Sequence, residues 1–437
     1  MFTKEVKGVF ISIIIALIAY FASGFIFDEI QSRLIAVVAM LVTLWTNEAL
    51  PLGVVSLLPI VLFPALEILD PKSISANYSK TIIFLFLGGF LLAIAVEKIR
   101  LHKIIANKLL AIFPKTNRGI IFSLSITSAL LSSFLSNTTT SLLLMPIALF
   151  LTDNNQLKIR FVLAIAYGAS IGGVITPIGT PPNLILMGFL QESSLESLSF
   201  VVWMAKTLPL AMIMLVIVSL ILSFGLKESK INISKHTETM SSEQKRLKNI
   251  LLFLVAILLI NSFFKFNESI ILLSFGLAMF LPKIGFLTWE DTKKIPYEII
   301  FLFGAGFSIA SGFSNTGLAK DVSDLLLALT TLPPFVLLLT IAALITFTTE
   351  ITSNTALISI ALPIIYALGE TSNIDVSLVL MVATICASYA FMLPIATPPN
   401  AIAMSSGVLT IKQMARFGFV FNIIAIVLTT TIATILW

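Results

Sequence analysis

The chain has 437 residues, of which 58% are hydrophobic and 11% charged, and its formal net charge is +5. An ordinary soluble domain is about 25% charged, and a globule with so few charges would expose more apolar surface than water tolerates. The composition excludes a soluble enzyme, a nucleic-acid-binding module and a disordered chain, and predicts an all-α membrane protein with many spans.

Crossing ~30 Å of hydrocarbon takes roughly 20 apolar residues. In chain order, crossings are predicted near 9–27, 34–50, 51–66, 81–97, 160–190, 201–225, 250–264, 267–282, 297–313, 376–402 and 414–437, eleven in all and several of them short or tilted. The first run is too long for a cleaved signal sequence and lacks a small-residue cleavage site. Two further apolar stretches, 119–151 and 333–369, carry Ser, Asn and Thr clusters in their middles. A spanning helix does not place such residues at bilayer depth without reason, so these stretches read as re-entrant hairpins. The 227–249 stretch is the largest polar segment and the best linker candidate, and it reads first as a plain solvated loop.

With the N-terminus cytoplasmic and the hairpins returning to their own side, twenty-one of the 27 basic residues fall inside. Six, Arg33, Lys72, Lys80, Lys206, Lys265 and Lys320, fall outside. The positive-inside rule predicts this asymmetry for a multi-pass protein of the plasma (inner) membrane, here with an external C-terminus. The single cysteine, Cys386, and the two histidines, His102 and His236, exclude an internal disulfide and a His/Cys metal centre.

An internal repeat fixes the architecture. Phe84-Leu85-Phe86 recurs as Phe301-Leu302-Phe303, Ser136-Asn137-Thr138 as Ser353-Asn354-Thr355, Pro146 as Pro363, and Thr180-Pro181-Pro182-Asn183 as Thr397-Pro398-Pro399-Asn400, always 217 positions apart. Charge placement runs 84–97 inward and 301–313 outward, so the copies are expected to be inverted, as in many secondary transporters with a midplane site. Gly88-Gly89 and Gly304-Ala305-Gly306 read as close helix contacts and not as phosphate loops, so ATP-driven transport has no support.

Four segments carry the chemistry. The hairpin tips are Ser132-Ser133-Phe134-Leu135-Ser136-Asn137-Thr138 and Thr349-Glu350-Ile351-Thr352-Ser353-Asn354-Thr355; the breaks are Thr176-Pro177-Ile178-Gly179-Thr180-Pro181-Pro182-Asn183 and Leu393-Pro394-Ile395-Ala396-Thr397-Pro398-Pro399-Asn400. Three prolines within six positions unwind a helix. Carbonyls freed around 178–180 and 395–397 then need a buried cavity or an ion. Sodium is a hard cation that takes such carbonyls, and tip hydroxyls and amides complete its shell, giving two oxygen-rich cages. Helix N-termini at the tips point N–H groups inward and suit an anion. None of the four segments contains Lys or Arg, so a free anion here depends on dipoles, neutral donors and bound cations. Two matched Ser-Asn-Thr clusters suit a substrate with two acidic ends, such as a C4-dicarboxylate. A lone Ser or Thr in a membrane helix more simply bonds the preceding turn; the repetition and the paired prolines argue for a site. Glu48 and Glu350 are candidate intramembrane acids. A hydrolase using Ser136 or Ser353 would lack an activating His or Lys, and a passive anion channel would show no saturable, cation-dependent uptake.

At these residues, and at Trp45-Thr46-Asn47-Glu48-Ala49-Leu50-Pro51 and Ile295-Pro296-Tyr297-Glu298-Ile299-Ile300-Phe301-Leu302-Phe303-Gly304, the chain resembles the divalent anion–sodium symporter family, over nearly its whole length from about Leu34. The resemblance implies a homodimer without nucleic-acid partners, and sodium-coupled, elevator-like symport of a dicarboxylate such as succinate, malate or fumarate. It implies scaffold helices in 1–110, a transport-domain half in 111–226, a cytoplasmic loop and scaffold helices in 227–325, and the second transport half in 326–437. It places one sodium on Ser132, Ser136, Asn137 and the Gly179 backbone, and another on Thr349, Thr352, Asn354 and the Ala396 backbone. The anion is placed on Ser136, Asn137, Thr138, Ser353, Asn354, Thr355 and the Thr397-Pro398 step. Gly179 against Ala396 leaves the cages unequal. The rival within transport is a proton-coupled or sodium-independent exchanger of dicarboxylate, citrate or sulfate; some relatives of that kind carry a positive side chain near the cation position, which these segments lack.

Overall fold

The structure is a computed structural model describing residues 3–193, 195–226, 239–264, 266–326, 331–371 and 374–437. Most of the 227–249 linker, with Lys227, Lys230, Lys235 and His236, lies outside the described residues, as does Lys265. Among the described residues all regular structure is helical. In chain order the α-helices are α1 (Lys4–Ser23), α2 (Glu29–Asn47), α3 (Leu52–Ala65), α4 (Pro71–Asn77), α5 (Thr81–Lys98), α6 (Leu101–Ile112), α7 (Asn117–Ser132), α8 (Asn137–Phe150), α9 (Asn155–Gly173), α10 (Pro181–Glu192), α11 (Phe200–Ser223), α12 (Ser242–Phe264), α13 (Glu268–Ala278), α14 (Tyr297–Asn315), α15 (Leu318–Leu325), α16 (Pro334–Thr349), α17 (Asn354–Thr371), α18 (Val376–Ser388), α19 (Pro398–Ser405) and α20 (Ile411–Leu436).

Six helical stretches among the described residues are long and apolar enough to cross a membrane: 4–23, 29–47, 71–98, 200–223, 297–315 and 411–436. The other predicted crossings correspond to shorter helices or to helices interrupted by prolines, such as α9–α10 and α18–α19. Most of α1 is exposed; only Gly8, Ser12 and Ser23 are buried, while Phe10 and Phe21 project outward. An apolar helix that buries so little of itself is suited to lipid. The 98–118 stretch, rich in lysine, is not simply a loop. Its leucines and isoleucines at helical spacing form α6, with His102 tucked in and its Nδ1 3.2 Å from Val96 O.

The chain divides into two compact units. The first comprises 1–83, 185–196 and 296–387. Its core joins α2, α3 and α14 through Leu34, Leu41, Phe63, Leu302 and Ile309. Gly304 sits where a Cβ would come within 2.1 Å of Tyr78, and a Cβ at Gly306 would come within 2.5 Å of Ser359 Oγ, so this glycine run is a helix contact. α17 packs on α14 and α15, and α16 packs on α17.

The second unit comprises 84–184, 197–295 and 388–437. Its centre is α9, buried without interruption from Phe161 to Gly173. A helix buried all round has no amphipathic face and must be enclosed by others. α7, α8, α11 and α19 enclose it. α7 lies against it backbone to backbone: Cβ atoms at Gly168 and Gly172 would come within 2.5 Å of Ser125 O and 2.2 Å of Ala129 O. Gly88 likewise meets the Leu272 backbone, where a Cβ would come within 2.4 Å.

Candidate functional site

Each Ser-Asn-Thr cluster stands at the start of a helix. α7 ends at Ser132, Ser133 to Ser136 make the turn, and α8 starts at Asn137. Ser136 is the N-cap: its Oγ accepts the Thr139 N–H at 3.0 Å, and its O–H donates to Thr139 Oγ1 at 2.8 Å. Serine is favoured there because its oxygen satisfies an orphan helix donor. At 16 and 14 residues, α7 and α8 are about 24 and 21 Å long, short of the ~30 Å hydrocarbon thickness. α16 and α17 repeat the arrangement, with Thr349 ending one and Asn354 starting the other. In this second tip Asn354 Oδ1 accepts from the Thr355 N–H at 2.8 Å and from its hydroxyl at 3.2 Å.

The prolines divide their labour. Pro177 and Pro394 lie just past the ends of α9 and α18, in the unwound stretches. Pro181-Pro182 and Pro398-Pro399 open α10 and α19, where a missing N–H costs nothing. Thr397 caps α19 by accepting the Asn400 N–H at 3.4 Å.

The carbonyls freed at the first break can be followed one by one. Asn183 Nδ2 donates to Gly173 O at 3.0 Å and Thr176 O at 2.9 Å. Trp203 Nε1 of α11 donates to Val174 O at 3.0 Å, and the Thr207 hydroxyl to Ile175 O at 3.1 Å. Protein donors thus serve 173 through 176, just before the 178–180 carbonyls singled out as cation ligands. At the second break Asn400 Nδ2 donates to Ala390 O at 3.0 Å and Leu393 O at 3.1 Å, and the Phe391 N–H donates to Asn422 Oδ1 of α20 at 3.2 Å.

The first tip and the first break converge. The fully buried Ser132 hydroxyl donates to Asn137 Oδ1 at 2.5 Å. The Asn137 amide lies over Gly173, where a Cβ would sit 3.0 Å from its Oδ1 and 3.3 Å from Thr180 Cβ. The Thr176 hydroxyl donates to Ser133 O, tying break to tip. Gly179 lies directly on Gly173: a Cβ on it would fall 2.4 Å from Gly173 O. Ser132, Ser136, Asn137, Thr138 and Gly179 all belong to the second unit, as do Ala396, Thr397 and Pro398. α19, which carries Pro398, packs on α8 and α9.

Thr349, Thr352, Ser353, Asn354 and Thr355 belong to the first unit. There the Thr349 hydroxyl donates to Ala387 O at 3.0 Å and the Thr352 hydroxyl to Thr348 O at 2.9 Å. Both oxygens keep lone pairs for a cation. Thr346 Oγ1 reaches Cys386 O at 3.5 Å. Of the two candidate acids, Glu350 is buried at this tip, whereas Glu48 is exposed at the left-handed end of α2.

Among the described residues no three His, Cys, Asp or Glu side chains gather as a metal cluster. A cation held at these tips and breaks would therefore meet hydroxyls, amides and carbonyls, the donor set used where unwound transporter helices coordinate sodium. Sequence reasoning missed Trp203, Thr207 and Asn422, whose partners lie about 30 residues away and follow no period. It quoted Asn183 and Asn400 only as repeat markers, although their recurrence at the common shift was the available signal.

Comparison with known proteins adds three findings. Residues 40–385 match the citrate transporter family. The chain is 33% identical over 433 residues to the sodium-dependent dicarboxylate transporter SdcS of Staphylococcus saprophyticus, covering 90% of this chain and 83% of that protein, and 32% identical over 434 residues to SdcS of Staphylococcus aureus, covering 90% and 84%. In fold it is similar to the YdaH transporter of Alcanivorax borkumensis (TM-score 0.58, 14% identity, 84% of this chain and 88% of that one) and to MtrF of Neisseria gonorrhoeae (TM-score 0.59, 12% identity, 84% and 83%).

Proposed function

The chain belongs to the citrate transporter family and so to the divalent anion–sodium symporters that its motifs resemble, and from that membership we propose that it couples inward sodium movement to uptake of a dicarboxylate. It is a multi-pass membrane transporter and not an enzyme. The substrate is of the C4 type, such as succinate, malate or fumarate, crossing the plasma (inner) membrane from the outside, with the N-terminus cytoplasmic and the C-terminus external.

One observation carries this reading: Ser132, Asn137, Gly173 and Thr180 converge as neutral oxygens and amides beside a helix start, and no Lys or Arg stands in either tip or either break. A carboxylate entering such a site has only dipoles and hydrogen bonds to meet it, and removing it from water without a counter-charge is costly. Sodium supplies that charge, so cation and anion binding are coupled by electrostatics. One sodium sits on Ser132, Ser136, Asn137 and the Gly179 carbonyl, and the second on Thr349, Thr352, Asn354 and the Ala396 backbone. Ser136, Asn137, Thr138, Ser353, Asn354, Thr355 and the Thr397-Pro398 step hold the carboxylates. The tips are re-entrant, the copies inverted, and the chain has eleven spans. In a homodimer, scaffold segments 1–110 and 227–325 stay fixed while 111–226 and 326–437 carry the site across as an elevator. The names of the relatives, sodium-dependent dicarboxylate transporters, support both the ion and the substrate class.

The test is uptake of labelled succinate into proteoliposomes under an inward sodium gradient, repeated with choline. Sodium-dependent, saturable uptake is expected. Undiminished uptake in choline would reject sodium coupling in favour of a proton-coupled or sodium-independent exchanger. The family also includes citrate carriers by name, so competition by citrate and sulfate in the same vesicles decides the substrate.

A further inference from the structure

We propose that Asn183 and Asn400 are matched positioning residues, each replacing the backbone donor that a proline deletes at its helix break and thereby fixing the carbonyl-bearing loop that meets the cation. The proposal deepens the sodium-coupled reading above and, for its link to the ion, rests on it.

In an uninterrupted α-helix the N–H of residue i donates to the carbonyl of residue i−4. Position 177 would serve Gly173 O, and position 394 would serve Ala390 O. Both positions are proline and have no N–H. These two carbonyls are the ones that Asn183 Nδ2 and Asn400 Nδ2 reach, each at 3.0 Å. The second N–H of each amide goes to Thr176 O at 2.9 Å and Leu393 O at 3.1 Å. Donors and acceptors alike obey the 217-residue shift.

The rest of each side chain indicates what it is there for. Asn183 and Asn400 are both fully buried, and among the described residues the Oδ1 of each has no hydrogen-bond partner. An acceptor left bare in the interior is a penalty, and the protein carries it twice at matching positions. Packing alone would be better served by leucine, and aspartate would supply no N–H. Only the donors explain the choice. Each amide closes a loop of about ten residues, 173–183 and 390–400, and Gly179 and Ala396 lie within these loops. Cutting the clamp strips Gly173 O or Ala390 O of its donor, leaves Thr176 O or Leu393 O to the Gly179 or Ala396 N–H at 3.2 Å, and loosens the backbone ligand of the cation. At the first break it leaves the tip donors for the anion in place.

The experiment uses purified full-length protein carrying Asn183→Ala, Pro177→Ala or both. Sodium binding is read as the sodium-dependent rise in melting temperature against choline, and succinate KM is measured in proteoliposomes at saturating sodium. Asn183→Ala is expected to raise the half-saturating sodium concentration about tenfold, the scale of losing hydrogen bonds to two buried carbonyls, while succinate KM stays within about twofold. Pro177→Ala in the same chain restores an N–H for Gly173 O and is expected to recover at least half of the shift. An unchanged sodium midpoint in Asn183→Ala, or a double variant no better than the single, overturns the proposal. Where Asn183→Ala does not accumulate as folded protein, recovery of a monodisperse double variant supports it and failure of both overturns it. If wild type shows no sodium effect at all, the sodium reading fails by itself. The clamp is then judged by melting temperature alone, which the added alanine must restore.

Discussion

The two helix breaks share their prolines, their Thr-Pro-Pro-Asn sequence and their asparagine clamp, yet they are built to different tolerances. In the first, Gly179 rests on Gly173 with no room for a methyl group, and α11 sends an indole and a hydroxyl to the next two carbonyls. In the second, the matching positions are Ala396 and Ala390, both carrying methyls, and the α20 positions matching Trp203 and Thr207 are Val420 and Ile424, which can donate nothing. There Asn422 accepts from the Phe391 N–H instead. What both copies keep is the donor that substitutes for proline. What they vary is how closely the backbone folds on itself. Two cages on one plan can therefore differ in ion affinity without differing in ligand type.

The largest effect expected is on the tips. Asn137→Ala and Asn354→Ala each remove an amide assigned to both cation and anion, and each should lower sodium-driven succinate uptake to about 1% of wild type or less while the protein stays monodisperse. Wild-type activity in either would dismiss the site. Next, Gly179→Ala puts a methyl 2.4 Å from Gly173 O; backbone cannot yield as a flexible side chain does, and overpacking of this kind costs about 1–3 kcal/mol. Uptake should fall at least about tenfold, against at most about threefold for Ala396→Gly, whose change only adds freedom. Equal losses at the two positions would erase the contrast drawn above. A smaller effect tests the donors: Trp203→Phe keeps the ring and strips Val174 O of its partner, and should cost about 1–3 kcal/mol of stability, read as a melting temperature lower by a few degrees.

The smallest effect lies away from both breaks and calibrates them. Lys98 pairs with Asp291 at 2.6 Å. Burial works to raise the Asp291 carboxyl, but the Lys98 ammonium and the Thr288 N–H and hydroxyl outweigh it and hold it down at about 2. A carboxyl depressed on folding contributes stability that is whole above its unfolded range near 3.8 and lost as pH falls through about 2. Asp291→Asn should therefore cost about 1 kcal/mol at neutral pH, with the deficit constant down to about pH 4 and shrinking below it. A deficit that grows on acidification would contradict the pairing.

Much of the frame was legible because it is periodic or repeated. The helical composition, the two tips and the two breaks followed from apolar run lengths, proline spacing and a constant shift, and Gly88 and Gly304 proved to be the close contacts expected of them. The helix ends were less exact: α12 begins at Ser242, eight residues before the predicted crossing, because its first turns are charged and a hydropathy count cannot credit them. Pro177 makes a bare Gly173 O foreseeable, but proline spacing alone put the freed carbonyls around 178–180 and did not show who would satisfy 173–176. Trp203 and Thr207 look like ordinary members of an apolar helix, and only three-dimensional proximity reveals their hydrogen bonds.

The lone thiol has a practical consequence. Cys386 is fully enclosed in α18, so the native chain offers maleimide reagents no reactive handle. A cysteine introduced at Phe134 in the first tip or Ile395 in the second break, which are 47% and 63% exposed, would be the sole site of labelling. Accessibility and spin-probe studies can then be run on an otherwise unaltered sequence, with no need to delete the resident sulfur first.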